Sequence, residues 1–190
     1  FFHSHGLPVP EIYAVGPDNK TYLQSDLGDT TLYDLLVDKK NKGFGFDDEM
    51  KNLYKQVLSD LVDFQIVGRG ADFSKSYPRE AFDRQSLQWD FNYFKYYFLK
   101  LAYIPFDEQL LEEDFDKLIN YLLDDDCSYF LYRDFQPRNI MLNQNKPFYI
   151  DFQGGRRGAA QYDVASILYS ARSELSESIR EELIQYYTDV

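Results

Sequence analysis

From Asp47 to Val67 the apolar residues Leu53, Tyr54, Val57, Leu58, Leu61 and Phe64 recur at the spacing of one helix face. No other segment limits the fold as strongly, because a helix of that length must lay its stripe against a core. Helical patterns also span about 79–102, 108–123, 162–172 and 176–188. The 79–102 segment is rich in rings: Trp89, Phe91, Tyr93, Phe94, Tyr96, Tyr97 and Phe98. A further helix should start after Gly28, capped by Asp29 or Thr30 and carrying Leu32, Leu35 and Leu36. Strand signals are few and short. Residues 11–15 and 21–25 flank the turn "GPDNK", and residues 140–142 and 147–150 flank "NQNK". Four short strands in two hairpins with about six helices make an α+β pattern, not a wound βαβ one.

The 190 residues, 44% of them hydrophobic, suffice for one sizeable core and are too few for two full domains. Rings make up 18% of the chain, and an aromatic core is their ordinary use. A net charge of −12 disfavours nucleic acid and anionic membranes as partners. The single cysteine, Cys127, permits no internal disulfide and fits a reduced, cytoplasmic setting. No apolar run approaches the ~18 residues of a membrane span. The opening "FFHSHGLPVP" lacks the pattern of a signal peptide. His3 and His5 within it are a metal pair only if further ligands join them.

The chemistry concentrates in "LYRDFQPRNIML", residues 131–142, and "YIDFQGG", residues 149–155. Asp134, Asn139 and Asp151 offer two carboxylates and one amide oxygen. Hard oxygen ligands of this kind suit a magnesium ion that keeps water and phosphate oxygens. Asp-x4-Asn, followed about a dozen residues later by a strand and Asp-Phe, is the layout of protein-kinase-like phosphotransferases. Pro137 stiffens the loop, and Phe152 anchors Asp151 from behind. The plainer use of the three polar residues is as turn and cap residues.

"YRDFQPRNIML" and "YIDFQGGRRGAAQYDVASILY" resemble the catalytic and metal loops of the aminoglycoside phosphotransferase/choline kinase group. "DFQ…RRG…YDVASIL" looks closest to its bacterial branch of N-acetylmuramate/N-acetylglucosamine kinases, which phosphorylate amino sugars at the anomeric hydroxyl. "GLPVPEIYAV" and "LQSDLGDTTLYDLL" match as the strand before the hinge and the hinge itself. "FDRQSLQWDFNYFKYYFLK" is similar to the substrate-side helix.

The resemblance implies a protein-kinase-like fold, ATP and Mg2+ as cofactors, and transfer of phosphate to a small-molecule hydroxyl. It implies Asp134 as base, Asn139 and Asp151 as metal ligands, and Asp26 and Leu27 of the hinge at the adenine edge. Met141 and Ile150 would lie under the adenine ring. Asp163 would hydrogen-bond the catalytic-loop backbone; a helix N-cap is the other use of an Asp there. Trp89 and Asp90 would face the acceptor, a sugar, with core packing as the other use of Trp89. Choline or aminoglycoside kinases, and a non-catalytic binding module, are the alternative readings. Oligomeric state is left open.

Tyr132 stands where the group usually has His. Gln136 stands where related enzymes place Lys or His, so an uncharged amide faces the phosphate and the charge must come from metal or from Arg138, Arg156 or Arg157. No glycine-rich hairpin with a strand Lys precedes "GLPVP". The expectation is therefore a fragment, inactive by itself: residues 1–26 as remnant of the nucleotide lobe with the hinge, and residues 27–190 as the mainly helical lobe. The opening residues and the 11–24 hairpin are expected to be its least stable part, or to be covered by a neighbouring molecule.

Overall fold

The computed structural model describes residues 1–190. Helix α2 (Asp48–Val67) is the axis of the core. Asp47 caps it by accepting the Met50 N–H at 3.0 Å, and Asp48 and Glu49 place negative charge in its first turn. Its inner face carries Met50, Tyr54, Val57, Leu58, Leu61 and Phe64, all fully buried. Truncating one of these leucines to Ala would cost about 2–5 kcal/mol, because the cavity cannot fully collapse. Helix α6 (Glu177–Asp189), capped by Ser176, closes on α2 with Leu183. Helix α1 (Leu32–Asn41) starts from Thr31, one residue beyond the expected caps. Thr31 and Asp34 form a reciprocal capping box, with Asp34 N–H to Thr31 Oγ1 at 3.1 Å and Thr31 N–H to Asp34 Oδ2 at 2.9 Å.

Strands β1 (Ile12–Val15) and β2 (Tyr22–Gln24) form an antiparallel hairpin whose residues are all exposed. The opening residues behave otherwise. Phe2, Leu7 and Val9 are buried in the main core, and Phe2 meets Phe64, Phe130 and Phe152 edge-on. Two short strands absent from the sequence reading, β3 (Tyr129–Leu131) and β6 (Arg156–Gly158), pair antiparallel. Between them, β4 (Ile140–Asn143) and β5 (Lys146–Tyr149) form the second expected hairpin. Its two turn residues, Gln144 and Asn145, have φ of 51° and 61°, the geometry of a tight primed turn.

The aromatic helix is shorter than its pattern implies. Helix α3 (Arg84–Phe94) begins after Asp83, whose side chain caps it. Residues 80–82 instead lie along β6: Arg157 N–H donates to Glu80 O and Phe82 N–H to Arg157 O. A π turn over Lys95–Leu99 ends the helix. Buried Lys95 ties that turn to Glu108 and Glu112 of helix α4 (Glu108–Leu123). Helix α5 (Gln161–Leu168) stops four residues before its expected end. Three two-stranded sheets among six helices make the chain α+β. No helix is long and apolar enough to cross a membrane.

Candidate active site

The loop after β3 turns sharply at Arg133, whose φ of 77° is uncommon for a residue with a side chain. Asp163 holds that turn. Fully buried as the third residue of α5, it accepts the N–H of Tyr132 at 2.7 Å and of Arg133 at 2.9 Å. It is not the helix cap, which is Ala160. Burial pushes the Asp163 carboxyl up to about 7, against the two amide bonds that favour its ionised form.

Asp134 follows, half-buried. Its backbone carbonyl accepts Asn139 Nδ2–H at 2.9 Å across the short turn Pro137–Asn139. That bond leaves Asn139 Oδ1 as a free acceptor. A second stitch joins this loop to the next: Ile150 N–H donates to Asn139 O at 3.1 Å, and the buried Tyr132 hydroxyl donates to Ile150 O at 2.5 Å. Burial holds the Tyr132 phenol far above its usual range, so it stays a donor. Asp151 then adopts φ of 68°, the second left-handed residue of the site. Its exposed carboxylate accepts Gln153 Nε2–H at 2.7 Å. Phe152 lies behind it, edge-on to Tyr132 and Phe2. Gly154 passes so close to Asp134 that an added Cβ would sit 3.6 Å from Asp134 Oδ2.

Asn139, Ile150 and Asp151 line one open cleft of about 480 Å3, closed from the other side by Ile12, Tyr22 and Gln24 of the β1–β2 hairpin. Asp26, Leu27 and Met141 lie outside that lining. Asp26 is exposed and accepts Gly28 N–H at 2.8 Å; Leu27 is buried. Met141 is buried on β4 and bridges to Thr31, so the segment leading into α1 is fastened to the β4–β5 hairpin. No group of three or more His, Cys, Asp or Glu side chains could hold a metal, and His3 and His5 are exposed. One carboxylate and one amide oxygen at the cleft suit magnesium, which keeps several waters and substrate oxygens, rather than a metal caged by protein.

The cations divide by environment. Arg138 is exposed and in no ion pair, and Gln136 is half-buried beside it. Arg156 is buried and braces backbone: Nε–H donates to Gly154 O and a terminal N–H to Tyr77 O. Arg157 reaches Glu80 on the surface at 3.4 Å. Arg133, which sequence reasoning passed over, reaches Asp90 at 3.4 Å and lies over the Phe82 ring. Asp90 thus stands beside the loop of Asp134. Trp89 is 46% exposed, with Arg79 above its ring. Tyr162 was also missed. Burial first, then the charge of Asp90, raise its phenol to about 12. Adjacency of Arg133 to Asp134 was the one sequence signal for the first; Tyr162 had none.

The model of the phosphotransferase enzyme family matches residues 1–190. An N-acetylmuramate/N-acetylglucosamine kinase of Pseudomonas aeruginosa is 30% identical over 170 residues, 87% of this chain and 46% of the relative. One from Neisseria meningitidis is 26% identical over 183 residues, 94% of this chain and 51% of the relative. The chain therefore spans about half the length of these curated relatives. The crystal structure of aminoglycoside phosphotransferase APH(2'')-Ib, ADP-bound, superposes with a TM-score of 0.57 at 17% identity, covering 95% of this chain and 60% of that one. The fold is that of the protein-kinase-like phosphotransferases.

Proposed function

The chain belongs to the phosphotransferase enzyme family, and on that premise we propose that it moves the γ-phosphoryl group of ATP to a hydroxyl of an amino sugar. The observation that carries this reading is the meeting of Asn139 and Asp151 in one cleft, with Asn139 bonded at 2.9 Å to the backbone of Asp134. Residues 1–26 serve as the end of the nucleotide lobe and the hinge, and residues 27–190 as the catalytic and substrate lobe. Asp26 and Leu27 meet the adenine edge, with Met141 and Ile150 beneath the ring.

Asp134 accepts the proton of the attacking hydroxyl as its oxygen bonds to the γ-phosphorus and the bond to the ADP oxygen breaks. Asn139 Oδ1 and the Asp151 carboxylate would hold magnesium. When bound, that ion neutralises the phosphate charge. Gln136 donates to a phosphate oxygen without adding charge, and Arg138 supplies an unpaired cation nearby. Asp163 acts through the backbone of Tyr132 and Arg133 to keep Asp134 in place.

On the acceptor side, Asp90 and Arg133 present an acceptor and a donor together, a combination suited to sugar hydroxyls, with Trp89 as a stacking surface. A free carboxylate would suit choline or an aminoglycoside better; here Arg133 stands 3.4 Å from Asp90. The names of the curated relatives support the same choice. An ATP-consumption assay of the full-length protein with N-acetylglucosamine, N-acetylmuramate, choline and an aminoglycoside tests it. Magnesium-dependent turnover with the amino sugars is expected, and turnover confined to choline or the aminoglycoside would replace the acceptor.

A further inference from the structure

A second cavity, of about 610 Å3, opens between α1, α2 and the β4–β5 hairpin. It shares no lining residue with the cleft of Asn139 and Asp151. Leu53, Leu142 and Phe148 give it apolar walls, and Asp60 is its one deeply set carboxylate. Asp60 is nine-tenths buried. Its Oδ1 accepts Gln56 Nε2–H and its Oδ2 the Tyr149 hydroxyl, both at 2.7 Å. No Lys, Arg or His pairs with it. A carboxylate offers about four acceptor positions, and two are used.

We propose that this cavity is a second binding site, for a small organic ammonium ion whose charge meets Asp60 and whose alkyl body lies on Leu53 and Phe148. A carboxylate buried without a cation is costly to keep ionised, so a ligand cation supplies what the fold does not. In agreement, burial and the neighbouring Asp63 raise the Asp60 carboxyl above the usual range. The other lining acid, Glu49, is exposed and already paired with Lys39 at 2.6 Å. Lys146 stands exposed at the rim. It disfavours a ligand with more than one ammonium group and allows a single one with an apolar tail.

The site is independent of the phosphotransfer reading but touches the same framework. Tyr149, which donates to Asp60, stacks on Phe135 at 5.5 Å, and Phe135 follows Asp134. Occupancy should therefore register on the catalytic loop as well as in the cavity.

Titration of the 15N-labelled chain with n-hexylammonium chloride at about pH 8, read by amide chemical shifts, tests the site, with 1-hexanol as the neutral control. Saturable shifts are expected at Gln56, Asp60 and Phe148. Binding of 1-hexanol, and of hexylammonium to Asp60→Asn, should be weaker by about tenfold or more, the loss of one charge-assisted contact. Asn at position 60 can still accept the Tyr149 bond through its one oxygen, and the Gln56 amide must turn to accept from its Nδ2–H. Lys146→Glu at the exposed rim should tighten binding, and it decides the matter if Asp60→Asn does not fold. Absence of saturable shifts, equal binding of 1-hexanol, or unchanged affinity in Lys146→Glu would overturn the proposal.

Discussion

The Tyr132 hydroxyl donates to the carbonyl oxygen of Ile150 at 2.5 Å, which fastens the loop of Asp134 to the residue just before Asp151. Two left-handed residues, Arg133 and Asp151, each directly follow one of the two bonded residues. Such conformations cost of order 1–3 kcal/mol and persist only where the surroundings enforce them. Tyr132→Phe keeps the ring in its aromatic cluster and removes only the bond. It leaves a carbonyl without its partner, which should destabilise the chain by about 1–3 kcal/mol in urea unfolding. In turnover by the full-length protein, the KM for Mg·ATP should rise more than that for the acceptor. Unchanged stability and KM would show that the bond positions nothing.

Asp163 makes stability depend on pH in a definite direction. Its folded-state carboxyl lies at about 7, above the ordinary Asp value of about 3.9 in an unfolded chain. Between those values the folded state binds more protons, so the contribution of Asp163 is full below about pH 4 and is lost as pH rises toward 7. Denaturant midpoints of the parent and of Asp163→Asn, measured across that range, should converge as pH rises. A gap that widens with pH would reverse the assignment.

In the full-length protein, Asp134→Asn should lower kcat by ~10²–10⁴, the usual worth of a general base, while ADP affinity stays nearly that of the parent. A rate within about threefold of the parent would remove Asp134 from that role.

Gly155 passes across Phe130, and a Cβ there would come 2.3 Å from Phe130 Cζ and 2.9 Å from the Phe152 carbonyl oxygen. Neither neighbour can give, since one is a buried ring and the other is backbone. Gly155→Ala should therefore destabilise the chain by about 1–3 kcal/mol, the range of an overpacked core. A neutral midpoint shift would mean that the β3–β6 pairing is looser than described.

Elements with a strong local signal were legible in the sequence. Helix α2 is legible because its stripe recurs over about three turns, and the β4–β5 hairpin because "NQNK" marks its turn. The β3–β6 pair was not: each strand has three residues, and the partners are 25 to 29 residues apart. Gly155, just before β6, and Gly158, within it, allow close packing on Phe130 and Leu131, which no local pattern shows. Helix α3 was overextended at its start because residues 80–82 are drawn to β6 by tertiary hydrogen bonds. At the site, Asp134, Asn139 and Asp151 stood out by spacing along the chain. Arg133, Tyr162 and the Tyr132 bond depend on which distant residues they meet, and spacing carries no record of that.

Calorimetric titration of ADP into the parent and into Asp151→Ala, each with and without magnesium, tests most directly that Asn139 and Asp151 hold the nucleotide's metal. The variant loses the only charged ligand at the cleft. Magnesium should strengthen ADP binding by the parent by about tenfold or more, the worth of one charge-assisted contact, and should have almost no effect on the variant. Equal magnesium dependence in the two proteins would contradict the account.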